Sequence, residues 1–284
     1  MNDRPFASIF GVDFSGARLA GRNIWIARAE PTGGPVPLRL VELHNLAAVA
    51  GTPDRTPALA YLVELVNASH GALWGMDFPF GLPVELFDAG TTWRQQLSAV
   101  AGWEGDAAAF GRWCVARARS LGREMHIRRT TDTEARTPFD CYHYRIIYQT
   151  FHGMRDVLLP LAGAPRTAVL PFQYRKAPTA DRIVTEACPG SVLKRLHLPH
   201  QNYKQPAGGP LTPKRRKTRG LIFDGLAPLI EIDASLRRRM MRNPGGDALD
   251  AAIAAVGAWQ RWTTADHAAI QRHPRYRWEG YLFA

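Results

Sequence analysis

A chain of 284 residues, 46% of them hydrophobic, has the length of one large domain or two small ones and can bury a core of its own. No apolar run approaches the roughly 20 residues that span a bilayer, and no cationic stretch followed by an apolar one marks a leader, so a cytosolic protein with no membrane partner is expected. The formal charge of +11, from 36 Lys and Arg against 25 Asp and Glu, favours an anionic partner such as nucleic acid. Five of the 36 are Lys, and an Arg excess beside abundant Ala also fits a GC-rich coding bias. Cys114, Cys141 and Cys188 are odd in number and widely spaced, which argues against a disulfide framework or a thiolate zinc site.

In chain order, Ser8–Phe14 and Asn23–Ala29 are short apolar runs separated by "SGA", and Pro37–Leu46 alternates imperfectly, so three sequential strands form a meander. "TPALAYLVELVNASH" places Leu59, Leu62, Val63 and Val66 at helical spacing and leads into "GALWGMDFPFGLP", a buried strand stopped by Pro79 and Pro83. A strand, helix and strand in succession imply a parallel neighbour. From Val84 to about Leu161 the pattern is Trp-, Arg- and Ala-rich at helical period, which predicts a helical insertion. A strand over Arg182–Ala187, a short helix after Pro189, a mobile basic loop from His200 to Gly220 and an Ala-rich helix after Pro244 complete the chain. The expectation is one α/β domain over residues 1–284, with a mixed five-stranded sheet flanked by helices and an insertion at 84–161.

Five acids sit at the limits of apolar segments. Asp13 closes "IFGVD", Asp77 closes "ALWGMD" and Glu186 closes "IVTE"; Asp247 and Asp250, three apart at the start of the Ala-rich helix, project from one helical face. Plain structural alternatives exist: a turn cap for Asp13, an arginine partner for Asp77, and for Asp247 and Asp250 an N-cap and a favourable position at the helix dipole. Ala251, Ala252, Ala254, Ala255 and Gly257 would let this helix lie close to the sheet, holding its acidic mouth against the strand ends. Crowded carboxylates raise one another's pKa unless a cation compensates them, and oxygen ligands without His or Cys select Mg²⁺ or Mn²⁺.

The series "GVDFSGA", "GMDFPFGLP", "EACPGSVLKRL" and "GDALDAAIAA", in that order, resembles a family of largely uncharacterised predicted nucleases with an RNase H-like fold, and its last member is similar to the paired-acid helix of Holliday-junction resolvases. The resemblance implies a two-metal nuclease in which Asp13, Asp77, Glu186, Asp247 and Asp250 are catalytic and Asp13, Asp77 and Asp250 bind the metals. Ser15 would lie beside the substrate. "RRTTD" approximates a further family element and makes Arg129 and Asp132 candidates for a substrate contact. The long insertion from Val84 to Leu161 departs from the family pattern.

Lys204, Lys214, Arg215, Arg216, Lys217 and Arg219 lie in one Pro/Gly-rich stretch, and Arg237, Arg238, Arg239 and Arg242 precede Asp247, so both clusters are candidates for phosphate contact. Trp93, Trp103 and Trp113 in the insertion suit core packing better than a base-stacking platform. The leading expectation is a metal-dependent nuclease acting on DNA or RNA. The alternatives are an ATP-dependent phosphotransferase of related fold, a non-catalytic nucleic-acid-binding protein, and a pocket for a small phosphorylated metabolite.

Overall fold

The computed structural model describes residues 4–122 and 124–284. Seven strands make one mixed sheet: β1 (Ser8–Asp13), β2 (Trp25–Pro31), β3 (Leu38–Asn45), β4 (Ala72–Met76), β5 (Thr167–Val169), β6 (Arg182–Glu186) and β7 (Ile230–Glu231), in the order β5-β6-β4-β1-β2-β3-β7. The meander is present, with β2 antiparallel to both β1 and β3. β4 runs parallel to β1 and to β6, as the crossover implied. The five-strand expectation falls short by β5 and β7, edge strands of three and two residues that are too short to show any periodicity.

Helices cover both faces. On one lie α1 (Arg55–Ala68) and the insertion, with α2 (Trp93–Ala101), α3 (Ala107–Ser120) and α4 (Ile147–His152), which continues through a π-helical stretch (Gly153–Leu158) into α5 (Leu159–Gly163). Leu59, Leu62, Trp74, Phe110 and Phe151 share the core on this side. On the other face lie α6 (Pro189–Arg195), α7 (Pro213–Leu226), α8 (Ala234–Arg242) and α9 (Asp247–Thr264), packed over Ile9, Leu73 and Ile183. The segment read as a mobile loop is helical from Pro213, because Thr212 accepts from the Arg215 amide and Pro213 takes the first helical position, where its missing N–H costs nothing.

The Ala-rich helix α9 approaches the sheet as its small residues suggested, and the strands contribute glycines to the contact. A β-carbon on Gly11 would stand 2.0 Å from the Ala251 carbonyl oxygen, and one on Gly75 would stand 2.7 Å from the Ala258 methyl. Gly11→Ala is therefore expected to push α9 off β1 and to cost about 1–3 kcal/mol, the range of overpacked cores, measured by denaturant unfolding. An unchanged midpoint would mean that the helix yields freely.

Parallel strands β1, β4 and β6 all end at the same edge. Val12 pairs with Met76 and Met76 with Glu186, so Asp13 and Asp77 each follow one residue beyond the Val12–Met76 pair. Side chains alternate along a strand. Glu186, level with Val12 and Met76, is therefore directed to the insertion side, and Asp13 to the α9 side.

Candidate functional site

The strand ends open into a cavity of about 610 Å³ whose lining includes Asp13, Ser15, Asp77, Glu186, Asp247 and Asp250, together with Arg129, Asp132 and Lys204. All five acids singled out by the sequence thus reach one place, but they divide into two electrostatic groups.

The first group is Asp13, Asp77, Asp247 and Asp250. Asp77 follows β4 and its amide donates to the Val12 carbonyl at 2.9 Å, which fixes the two strand ends together. The N-cap of α9 is Gly246, at φ +92°, so Asp247 is the first helical residue and not the cap that its position suggested. Asn243 does the capping: its Oδ1 accepts from the Gly246 and Ala248 amides at 2.8 and 3.2 Å, and its Nδ2 donates to Asp247 at 3.4 Å. A β-carbon at Gly246 would meet the Lys204 side chain at 3.0 Å, and the positive φ favours glycine there in any case. Asp250 is 1% exposed; it accepts from the Tyr203 hydroxyl at 2.9 Å and is ion-paired with the Lys204 ammonium.

Burial pushes the Asp13 carboxyl well above the usual carboxylate range; Lys204 pulls it back, while Asp250, Asp77 and Asp247 add to the rise. Asp77 is pushed up to about 7, by burial first, then by Asp250, with Lys204 opposing and Glu186 adding. Burial also raises Asp247, against Lys204 and Asn243. Burial disfavours the charge on Lys204 itself, but Asp250, Tyr203 and Asp13 outweigh it and hold the ammonium above its ordinary value. Crowding of like charges is what the sequence pattern implied; the cation expected to compensate it was a divalent metal, and the one that the structure places among the acids is the Lys204 ammonium. Cys188 borders the same cavity, but burial, and next Asp77, push its thiol up to about 12, which disfavours the thiolate.

The second group is Glu186, Arg129 and Asp132. The Arg129 guanidinium is 1% exposed and donates to Glu186 and Asp132 together: 2.8 Å from Nη1 to Glu186 Oε2, 2.5 Å from Nη2 to Oε1, and 2.8–2.9 Å to the two Asp132 oxygens. The Phe80 amide also donates to Glu186 at 2.9 Å. Both carboxylates are held by the one guanidinium, so this triad ties the insertion to the end of β6. The strand alternation that separates Glu186 from Asp13 is the reason.

Of the basic candidates, Lys204 alone enters the acidic site. Arg219 has no exposure and donates to four carbonyls, those of Tyr203, Met240, Asn243 and Pro244, at 2.7–2.8 Å. It positions the Tyr203–Lys204 segment against the entry to α9 and presents nothing to a substrate. Arg215 donates to the Lys204 carbonyl, and Lys214 is exposed beside it at the start of α7. Arg216, Arg238 and Arg242 converge from α7 and α8 on a second cavity, of about 650 Å³, that Pro210 and Pro244 also line, so the two basic runs meet in space. Tyr203 and Asn243 had no signal in the sequence, because a lone tyrosine or asparagine before a helix is common.

The carboxylates are the hard oxygen donors that Mg²⁺ or Mn²⁺ takes. Among the described residues, however, no three His, Cys, Asp or Glu side chains stand close enough together to hold an ion, and the Lys204 ammonium already engages Asp250. In this arrangement the donor set does not fit a metal. Comparison with family models, with curated proteins and with solved structures finds no match. Among the described residues no helix is long and apolar enough to cross a membrane.

Proposed function

We propose that the cavity is the active site of a phosphodiester hydrolase acting on nucleic acid. The observation that carries this reading is the convergence of Asp13, Asp77, Asp247 and Asp250 from two parallel strand ends and one helix start onto one cavity, with Lys204 among them. A three-strand meander followed by parallel β4 and β6, with acids at those places, supports an RNase H-like reading of the sheet. Asp77, pushed up to about 7, is poised to take a proton from a water attacking phosphorus, and Lys204 brings positive charge to the phosphoryl oxygens. The basic cavity of Arg216, Arg238 and Arg242 adds a place for a phosphate backbone beside the site.

Mg²⁺ or Mn²⁺ belongs to this proposal as the cofactor that the resemblance implies. The present arrangement does not accommodate one, so no step is routed through it. Incubating the protein with branched, single-stranded and hybrid nucleic acids, with Mn²⁺, Mg²⁺ or chelator, tests the reading. Cleavage that disappears in Asp13→Asn supports it, and no cleavage above that control under any condition refutes it.

The same lysine favours a second reading, a nucleic-acid-binding protein without turnover, because its ammonium already takes the place beside Asp250 that a metal would need. The two separate on Lys204→Met. If the lysine only occupies a metal position, this variant leaves the buried Asp250 without its cation, so it is expected to lose stability without metal and to gain a Mn²⁺-dependent rise in melting temperature that the parent lacks. A variant indifferent to Mn²⁺ would favour the non-catalytic reading.

A further inference from the structure

We infer that an aromatic and basic ledge on the insertion is the docking surface for unpaired bases of a single-stranded nucleic acid entering the cavity; this rests on nucleic acid being the ligand. Phe139 lines the acidic cavity, and from it a series of rings leads outward. Phe139 and His143 lie 4.5 Å apart between centroids with their planes 24° apart, and His143 and Tyr144 lie 4.4 Å apart at 35°. The Arg145 guanidinium stands 5.4 Å from the Phe139 centroid and 5.7 Å from that of Tyr144. Tyr144 is 70% exposed and Tyr148 42%, unlike Trp93, which is buried, and Trp103 and Trp113, which pack with Phe110.

The ledge is bound firmly to the catalytic edge. Gln149 donates to the Phe14 carbonyl at 2.6 Å, one residue after Asp13, and a β-carbon on Gly16 would stand 1.9 Å from the Tyr148 carbonyl oxygen. A β-carbon on Gly153 would overlap the Phe78 ring, one residue after Asp77. A strand lying across the rings is thereby led toward both acids.

Charge selects the occupant. Arg145 has no carboxylate partner among the described residues, and Arg112 and Arg119, which line the hollow beneath Tyr144 and Tyr148, have no ion pair among them either. Exposed rings with arginines lacking counter-ions suit bases that stack and phosphates that pair; a duplex, whose bases are already stacked on each other, cannot use the rings.

The test is fluorescence anisotropy, in chelator and with the probes checked on a denaturing gel to be intact afterwards, with labelled single-stranded DNA and RNA 15-mers and a 15-base-pair duplex as probes. The full chain is expected to bind a single strand more tightly than the duplex, and the DNA and RNA arms show which sugar it accepts. Tyr144→Ala with Tyr148→Ala should weaken single-strand binding about tenfold and leave duplex binding unchanged, whereas Tyr144→Phe should bind like the parent. Arg145→Ala should lower the slope of log affinity against log salt by about 1. The side chains are exposed, so an unchanged melting temperature confirms folding. Parental affinity in the double tyrosine variant, or equal binding of duplex and single strand, overturns the ledge while leaving nucleic acid as ligand. No binding of any probe at low salt overturns both. Binding without cleavage in the metal assays removes only the hydrolase reading.

Discussion

Arg129→Met is expected to destabilise the protein by about 3–5 kcal/mol, because it leaves two buried carboxylates facing each other without their shared cation. In a chain of this length that corresponds to a fall of roughly 10 °C in melting temperature. The loss should depend on pH in a defined direction. In the parent, burial already raises the Glu186 carboxyl above its ordinary value, with Arg129 opposing the rise. Removing the arginine leaves burial and Asp132 to raise it further. The folded chain then holds the Glu186 proton more tightly than the unfolded one, so the variant keeps most of its stability below the ordinary carboxylate pKa and loses it as pH rises through the range above. Adding Glu186→Gln and Asp132→Asn should recover part of the loss at pH 7, since uncharged amides need no counter-ion. Urea unfolding at pH 5 and pH 8 checks both statements, and an equal loss at the two pH values would mean that packing by the arginine stem, not charge, is what the triad contributes.

The contrast between this triad and the Asp13 group marks what a sequence can disclose. Strand ends were legible because β1, β4 and β6 are short segments with apolar residues at their centre that end at or just before an acid, and their shared edge followed from a parallel crossover. The close seat of α9 was legible in its alanines, although the matching glycines, Gly11 and Gly75, belong to other segments and signify only in pairs with them. Register was not legible. One residue decides which side of a sheet a strand-end acid faces, and the acids at the ends of β1 and β6 differ by that one residue, which separates Glu186 from Asp13. Nor could the basic run around Lys204 be divided from sequence: Lys204, Arg215 and Arg219 read as one charged stretch, yet one reaches the acids, one holds a carbonyl and one is sealed inside. Arginine that bonds only to carbonyls has no sequence signature, because its partners are backbone.

Those divisions set the expectation for the chemistry. If the cavity hydrolyses nucleic acid as proposed, then with Glu186 held by Arg129 and Asp250 paired to Lys204, Asp77 is the acid best suited to move a proton, and Asp77→Asn is expected to lower that cleavage by about 10²–10⁴-fold, the usual worth of a general base. The amide is nearly the same size and sits where the Asp77 backbone is already fixed by Val12, so the fold should survive and the loss should appear in kcat at little change in KM. In the parent the rate should rise about tenfold per pH unit below neutrality and level off above about pH 7, as burial and Asp250 place the Asp77 carboxyl there. Since Lys204 is what restrains that value, Lys204→Met should carry the limb to higher pH, even where its maximal rate is lower. A parental profile flat between pH 6 and 8, or an Asp77→Asn variant that cleaves as well as the parent, would remove Asp77 from the proton transfer and leave Asp13 as the acid to examine.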